Sequence, residues 1–132
     1  MKYFEKRKYI IRSNKINSKY TEDEMYEIQE YLNSTAISAT ALQRYALLEY
    51  LNIHRKDAVD PGKMEVLTHD VMDNLNYMAH GITFKTEDLL GEKWECLSKE
   101  EKRYISNFVR KCVLDYPSIF VRLNGSKKYK KL

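Results

Sequence analysis

Proline, glycine, cysteine and histidine are all scarce in this chain of 132 residues. It has two prolines, four glycines, two cysteines and three histidines. No glycine-rich phosphate loop occurs, and the few histidines and cysteines do not form the pattern of a nucleophile or metal beside an oriented base. The carboxylates fit helix caps and solvated faces. We therefore expect no catalytic residues, no metal site and no cofactor, and the chain is predicted not to be an enzyme.

The two cysteines, Cys96 and Cys112, are too far apart for a Cys-x-x-Cys motif, and no histidine stands at ligand spacing from them. A disulfide or a metal site is the less favoured alternative. Buried free thiols in a reducing compartment are the expected state of both side chains.

Long apolar runs are also absent. No stretch approaches the roughly 18 apolar residues of a membrane span. The basic start, MKYFEKRKYII, lacks the apolar segment and the cleavage site of a signal peptide. Hydrophobic residues make up 43% of the chain and charged residues 32%, which is typical of a globular protein with a modest core. The sequence predicts a cytoplasmic protein without a membrane partner.

Positive and negative charges are segregated along the chain. The net charge of +4 divides into +6 for residues 1–20, −7 for residues 21–81 and +5 for residues 82–132. Basic segments at both ends suit a polyanion partner, because each Lys or Arg that contacts a phosphate releases a condensed counterion. The alternative is charge that serves solubility alone.

The first module combines a short strand with two helices. Residues 15–20 alternate with the period of a strand, with one face polar and cationic. Thr21 and Glu24 form a capping box for a helix that reaches about Asn33. A second helix is predicted from about Ala39 to His54, with Ser38 as its N-cap. This helix is apolar nearly all round, which predicts burial on several sides and, in so small a module, cover by a second copy.

A strand followed by two capped helices, over residues 12–55, resembles the ribbon-helix-helix family of DNA-binding dimers. The resemblance implies that two strands pair across a homodimer and that their outward side chains enter the major groove. By position, the base-reading residues would be Lys15, Asn17 and Lys19, since Lys and Asn can read guanine and adenine edges. A helical hairpin that serves only dimerisation is the alternative.

The middle of the chain is predicted to be a linker followed by a helix. Residues 57–63 contain a Pro-Gly pair, which usually marks a turn or loop. Thr68 is the predicted cap of a helix from about His69 to Ala79.

The last part of the chain has the strongest local signals. Ser98 and Glu101 form a second capping box, which opens a helix predicted to reach about Asp115 and to stop before Pro117. A strand is predicted over residues 119–123, and Asn124-Gly125 is a strong hairpin signal. A short strand, helices and a cationic hairpin, in that order, predict a winged helix whose wing lies along phosphates.

The predicted nucleic-acid-binding residues of this module lie on its helix and its hairpin. The helix contributes Arg103, Asn107 and Arg110. The hairpin contributes Arg122, Lys127, Lys128, Tyr129, Lys130 and Lys131. Tyr129, between lysines, could stack on an unpaired base. The alternative is a core or edge tyrosine among lysines that protect an edge strand from aggregation.

Several residues of the same segment form a pattern that recurs elsewhere. They are Phe84, Asp88-Leu89, Gly91, Trp94, Leu97-Ser98-Lys99, Arg103, Phe108 and Tyr129-Lys130. The pattern resembles a small winged-helix-like family of Firmicutes mobile elements, one relative of which, in staphylococcal cassette elements, binds single-stranded DNA. The resemblance implies DNA binding and a mobile-element setting.

The sequence as a whole predicts a mainly α protein with short β elements, of the α+β class. A ribbon-helix-helix-like module is expected at residues 1–56, a linker and helix at 57–80, and a winged-helix-like module at 81–132. The predicted function is non-enzymatic DNA binding for a mobile genetic element or phage, as a replication or transfer accessory factor or a repressor. The expected partners are single- or double-stranded DNA and a second copy of the chain.

The alternative function is an inhibitor, encoded by a phage or mobile element, of a host nuclease such as a CRISPR effector. In that case the acidic segment 21–81 would mimic nucleic acid. The partner would then be a host or element-encoded nucleoprotein complex.

Overall fold

The structure is a computed structural model that describes residues 19–55, 57–125 and 127–132. The basic start of the chain and most of the predicted strand, including Lys15 and Asn17, lie outside the described residues. Lys19 and Tyr20 are described, and both are exposed and belong to no strand.

Two helices open the described part of the chain, α1 (Glu22–Ser34) and α2 (Ala39–Tyr50). The capping box predicted at Thr21 is confirmed. The Thr21 hydroxyl accepts from the Glu24 N–H at 3.2 Å, and the Glu24 carboxylate accepts from the Thr21 N–H at 2.8 Å. Helix α2 ends before the predicted His54, and just beyond it Asn52 adopts a left-handed φ of 55°, which ends a helix.

Helix α3 (Pro61–Tyr77) occupies much of the predicted linker. The Asp60 carboxylate caps it by accepting from the Gly62 N–H at 2.9 Å. Pro61 stands at the first helical position. The N–H of a residue at this position has no acceptor within the helix, so proline loses no hydrogen bond there, and its fixed φ suits a helix. The prediction of a linker through residue 63 is therefore wrong, because a Pro-Gly pair that follows a capping Asp starts a helix.

Thr68 lies inside α3 and is not its cap. The residue is only 3% exposed, and its hydroxyl accepts from the Ala36 N–H at 3.0 Å. Thr68 thus ties the turn between α1 and α2 to α3.

The rest of the chain alternates short strands and helices. In order they are β1 (Thr83–Lys85), a 3₁₀ turn (Thr86–Leu89), α4 (Glu92–Glu95), α5 (Lys99–Asp115), β2 (Phe120–Arg122) and β3 (Lys128–Lys131). The capping box at Ser98 is confirmed, with the Glu101 N–H donating to the Ser98 hydroxyl at 3.1 Å and the Ser98 N–H donating to the Glu101 carboxylate at 2.8 Å. Helix α5 ends before Pro117, as predicted.

The three strands form an antiparallel sheet in the order β1-β3-β2. Phe84 of β1 and Arg122 of β2 both lie opposite Tyr129 of β3. The predicted hairpin at Asn124-Gly125 is confirmed, and Gly125 adopts a φ of 69° that an L residue rarely takes. The last strand is therefore the middle strand of the sheet and not an edge.

One hydrophobic core joins the helices to the sheet. Its most deeply buried side chains include Met64 and Val71 of α3 and Ile105 and Val109 of α5. Side chains from the α1–α2 region and from the sheet belong to the same cluster. The α+β class is confirmed, whereas the division into three modules stays a prediction.

Both described cysteines are free thiols, but only one is shielded. Cys112 is half-buried, and burial followed by the nearby Asp115 carboxylate raises the pKa of its thiol. Cys96 is exposed, so the expectation that both thiols are buried is wrong. In the ranges the structure describes, no helix is long and apolar enough to cross a membrane.

Candidate nucleic-acid interface

A groove of about 260 Å³ lies between α5 and the β2–β3 hairpin. Five of the predicted site residues line it together: Asn107, Arg110, Arg122, Lys127 and Tyr129. The other lining residues are Thr86, Glu87, Trp94 and Ser106. Residues that the sequence placed on two separate elements therefore meet at one site.

The fold of α5 and the hairpin explains why these side chains converge. Asn107 and Arg110 lie three residues apart, which puts them on one face of a helix. Ile105 and Val109, on another face of α5, are fully buried and fix the orientation of the helix. Across the groove, Arg122 stands directly opposite Tyr129 in the ladder between β2 and β3.

The groove is cationic. Arg110, Arg122 and Lys127 face a single lining carboxylate, Glu87, which gives the lining a formal charge of +2. Within the described ranges none of these three cations has an ion-pair partner. Guanidinium groups bind phosphate through paired N–H donors, so two arginines beside a lysine form a suitable cradle for a phosphodiester backbone.

Two larger clefts differ from the groove in charge. One, of about 410 Å³, is lined by Glu49, Asp60 and Arg55 among others. The other, of about 360 Å³, is lined by Glu65, Asp73 and His69. Acidic side chains outnumber Lys and Arg in the linings of both clefts, so neither cleft favours the binding of a polyanion.

Trp94 is a member of the groove that the site prediction missed. Its indole is half-buried in the groove wall, and the Lys102 ammonium lies 5.5 Å from the ring centre. The sequence signal was present, because Trp94 is the only tryptophan in the chain. Its spacing indicated core packing, and only the position of the hairpin places it beside the cations.

Tyr129 has a structural role that differs from its predicted one. Its side chain belongs to the core and the residue is 6% exposed. Its ring centre lies 5.7 Å from that of Phe84, with the ring planes tilted by 31°. The burial agrees with the alternative of a core tyrosine, because the ring would have to leave the core to stack on a base.

Lys131 is buried as well. Its ammonium donates to the carbonyl oxygens of Leu75, Asn76 and Met78 at 2.9, 3.0 and 2.8 Å. These carbonyls lie at the C-terminal end of α3, where unpaired carbonyl groups and the helix dipole favour a cation. A phosphate contact would require the Lys131 ammonium to give up at least one of these hydrogen bonds, because all three of its N–H donors are already used.

The remaining predicted residues lie away from the groove. Arg103 is exposed on α5, 3.8 Å from the Glu100 carboxylate and 5.2 Å from the centre of the Tyr104 ring. Lys128 and Lys130 belong to the opposite face of the sheet. Lys19 precedes α1 and does not line the groove.

Comparison of the chain with protein-family models, with curated proteins and with solved structures gave no match. The two family resemblances described above therefore stay predictions, and the function has to be argued from the groove itself.

Proposed function

We propose that the protein is a cytoplasmic, non-enzymatic DNA-binding protein that holds a DNA backbone in the groove between α5 and the hairpin. The observation that carries the proposal is the meeting of Arg110, Arg122 and Lys127 in one groove with a single carboxylate in its lining. The order of a strand, helices and a hairpin supports a winged-helix arrangement in which α5 faces the DNA.

The proposed contacts divide by chemistry. Arg110, Arg122 and Lys127 neutralise phosphates, which supplies affinity without reading sequence. Asn107 carries an amide that can pair with an adenine edge. Trp94 offers an aromatic surface on which an unpaired base can stack. The family resemblance supports a setting in a mobile genetic element or phage, as an accessory factor or a repressor.

The first prediction concerns the charges of the groove. Replacing both arginines, Arg110→Glu with Arg122→Glu, is expected to weaken DNA binding at least about tenfold and to lower the slope of log affinity against log salt by about two, since each phosphate contact contributes roughly one. Fluorescence anisotropy with matched single- and double-stranded oligonucleotides across a salt series measures both quantities and also decides the strand preference.

The control is a double charge reversal away from the groove, Arg44→Glu with Arg55→Glu. It changes the net charge by the same amount on the surface around α2, where Arg44 pairs with Asp57 at 3.3 Å. If the two double variants lose equal affinity, net charge and not the groove governs binding, and the proposed site is wrong.

A second candidate function is the nuclease inhibitor. The acidic residues of α1 favour it, because Glu22, Asp23, Glu27 and Glu30 are all exposed and have no ion-pair partner in the described part of the chain. A nucleic-acid mimic should leave free DNA unshifted in a gel and should be retained by a host nucleoprotein complex in a pull-down. A shift of free DNA that depends on Arg110 and Arg122 favours the first function instead.

A further inference from the structure

A pocket of about 260 Å³ lies between α5 and the turn that joins α1 to α2. Its wall is mostly apolar. Ala36 and Ile37 of the turn are buried. Leu32, Tyr104 and Phe108 are half-buried, so each packs against the hydrophobic core and keeps part of its side chain exposed. We call this site the α5 pocket.

Hydrogen bonds hold one wall of the α5 pocket in place. The Ser38 hydroxyl accepts from the Ala41 N–H at 3.1 Å and lies 3.0 Å from the Tyr104 hydroxyl. The Tyr104 hydroxyl in turn donates to the Glu100 carboxylate at 2.8 Å. These bonds tie the start of α2 to α5, so the pocket is formed in advance and a ligand does not bear the cost of ordering this wall.

The polar groups left for a ligand stand at the rim of the pocket. Asn107 contributes an amide, which can both donate and accept. Lys111 is exposed and is the single charged side chain among the described lining residues. An apolar wall with a few polar groups suits a flat, weakly polar ring, and the cation suits an anion attached to it. The volume is below the roughly 300–1,000 Å³ of sites for drug-sized ligands, which favours a single ring system.

The α5 pocket adjoins the groove proposed to hold DNA. Asn107 lines both sites. Arg110 lines the groove and Lys111 lines the pocket, because consecutive residues of a helix point about 100° apart. Asn107 therefore stands on the ridge between the two sites. A DNA backbone that leaves the groove across this ridge meets a second cation at the rim of the pocket.

We infer that the α5 pocket binds one unpaired nucleobase of the DNA strand whose backbone lies in the groove. Phe108 and Tyr104 supply the aromatic surface on which a base can pack. Asn107 pairs with the polar edge of the base, and Lys111 contacts the phosphate beside it. A base stacked inside a duplex cannot enter a pocket, so the strand is unpaired at this point. The inference rests on the proposed function, because the groove supplies the neighbouring phosphate contacts.

Two single-stranded oligonucleotides of equal length test the pocket. One is an oligothymidylate, and the other has the same number of phosphates but sugars without bases. Fluorescence anisotropy with the full-length protein gives the affinity for each, and the ratio of the two isolates the contribution of the bases. The wild type is expected to bind the oligothymidylate at least about tenfold more tightly, since both Trp94 and the pocket take a base.

Phe108→Leu keeps an apolar side chain against the core but removes the aromatic ring. It should lower the ratio at least about fivefold and leave the affinity for the strand without bases unchanged. Tyr77→Leu is the matched control. Tyr77 is 87% exposed and lines neither the pocket nor the groove, so this variant should keep the wild-type ratio.

A second variant tests the pocket without touching the core. Lys111→Gln should lower the slope of log affinity against log salt by about 0.7, the contribution of one phosphate contact to a single strand. Lys99→Gln, at an exposed lysine of α5 that lines neither site, should leave the slope unchanged. Should Phe108→Leu fail to fold, these two lysine variants decide the matter.

Each remaining outcome has a definite meaning. A wild-type ratio in Phe108→Leu, or a salt slope that Lys111→Gln leaves unchanged, overturns the inference. So does a change of mass in sedimentation caused by Phe108→Leu, because a second copy of the chain then covers the pocket.

Two further results separate the inference from the proposed function. If the wild type binds duplex DNA only, or binds both single strands equally, the inference is overturned. The proposed function still stands in that case, provided that Arg110→Glu with Arg122→Glu weakens binding. If the wild type binds no DNA, both are overturned.

Discussion

Lys131 shows how one charged side chain can serve the core. The residue is 6% exposed and its ammonium satisfies three carbonyl groups at the end of α3. The ammonium also lies 5.9 Å from the centre of the Phe120 ring, a distance at which a cation and an aromatic face attract each other. A buried lysine is tolerated here because its charge is fully hydrogen-bonded.

The second prediction follows from this site. Lys131→Met keeps the aliphatic stem but leaves buried carbonyl groups without a donor, so we expect it to lower the free energy of unfolding by about 1–3 kcal/mol. Lys130→Met, the adjacent lysine on the outer face, should change it by less than about 0.5 kcal/mol. Urea unfolding followed by circular dichroism measures both. Equal decreases in the free energy of unfolding for the two variants would show that the hydrogen bonds at the end of α3 do not stabilise the fold.

The different roles of neighbouring lysines were partly readable from the sequence. Lys128-Tyr129-Lys130-Lys131 forms a strand, and the period of a strand puts Tyr129 and Lys131 on one face and the other two lysines on the opposite face. Once Tyr129 is taken as a core residue, Lys131 has to point inward too. What the sequence does not contain is the location of the end of α3, which lies more than fifty positions away and supplies the acceptors.

At the scale of elements, a salt bridge joins the first turns of α3 and α5. The Lys63 ammonium lies 3.0 Å from the nearer oxygen of Glu101, whose side chain is 9% exposed. The same carboxylate completes the capping box by accepting from the Ser98 N–H. Burial by itself would raise the pKa of Glu101, but the Ser98 N–H and the Lys63 ammonium together lower it below the ordinary value of 4.5.

The third prediction is a pH dependence. A carboxyl whose pKa is lowered by folding adds stability above its unfolded pKa, and the gain is lost as the pH falls through its folded pKa. Glu101→Gln keeps an acceptor for the cap but removes the charge. We expect the variant to be about 1 kcal/mol less stable at pH 7, where the bridge to the half-exposed Lys63 is intact, and the difference from the wild type to shrink as the pH falls below 4.5.

Urea titrations at several pH values between 7 and 3 test this dependence. Glu95→Gln, on the exposed short helix α4, is a matched change with no ion-pair partner in the described ranges and should show little difference at any pH. A Glu101→Gln deficit that stayed constant down to pH 3 would mean that packing, and not the charge, stabilises this position.

The elements that could be predicted are those with local causes. The capping boxes at Thr21 and Ser98 and the Asn-Gly turn depend on residues within a few positions of one another, and all three predictions are confirmed. The start of α3 was missed because a Pro-Gly pair can mark either a turn or the first residues of a helix. The hydrogen bond from the Gly62 N–H to the Asp60 side chain favours the helix. The pairing of β1 with β3 joins residues more than forty positions apart, which no local pattern specifies.

At the scale of the whole molecule, apolar surface is distributed unevenly. Helices α3 and α5 bury several apolar side chains each. By contrast, α1 contains no buried residue and α2 contains only one, Ala41. Several large apolar side chains of this region are exposed instead. They include Met25, Tyr26, Leu47, Tyr50 and Leu51. A second copy of the chain packed against this region would bury these side chains, as the apolar sequence of α2 predicts. Such a dimer would contain two grooves.

The fourth prediction tests that assembly. Leu47 of α2 and Leu51, the residue that caps the C-terminal end of this helix, are four residues apart and are 45% and 60% exposed. If this region joins two copies, Leu47→Asp with Leu51→Asp should convert a dimer to a monomer in sedimentation equilibrium, because each aspartate would have to be buried without a partner. Leu114→Asp, at a leucine of α5 that is 69% exposed, should leave the mass unchanged. A monomeric wild type at high micromolar concentration would contradict the prediction.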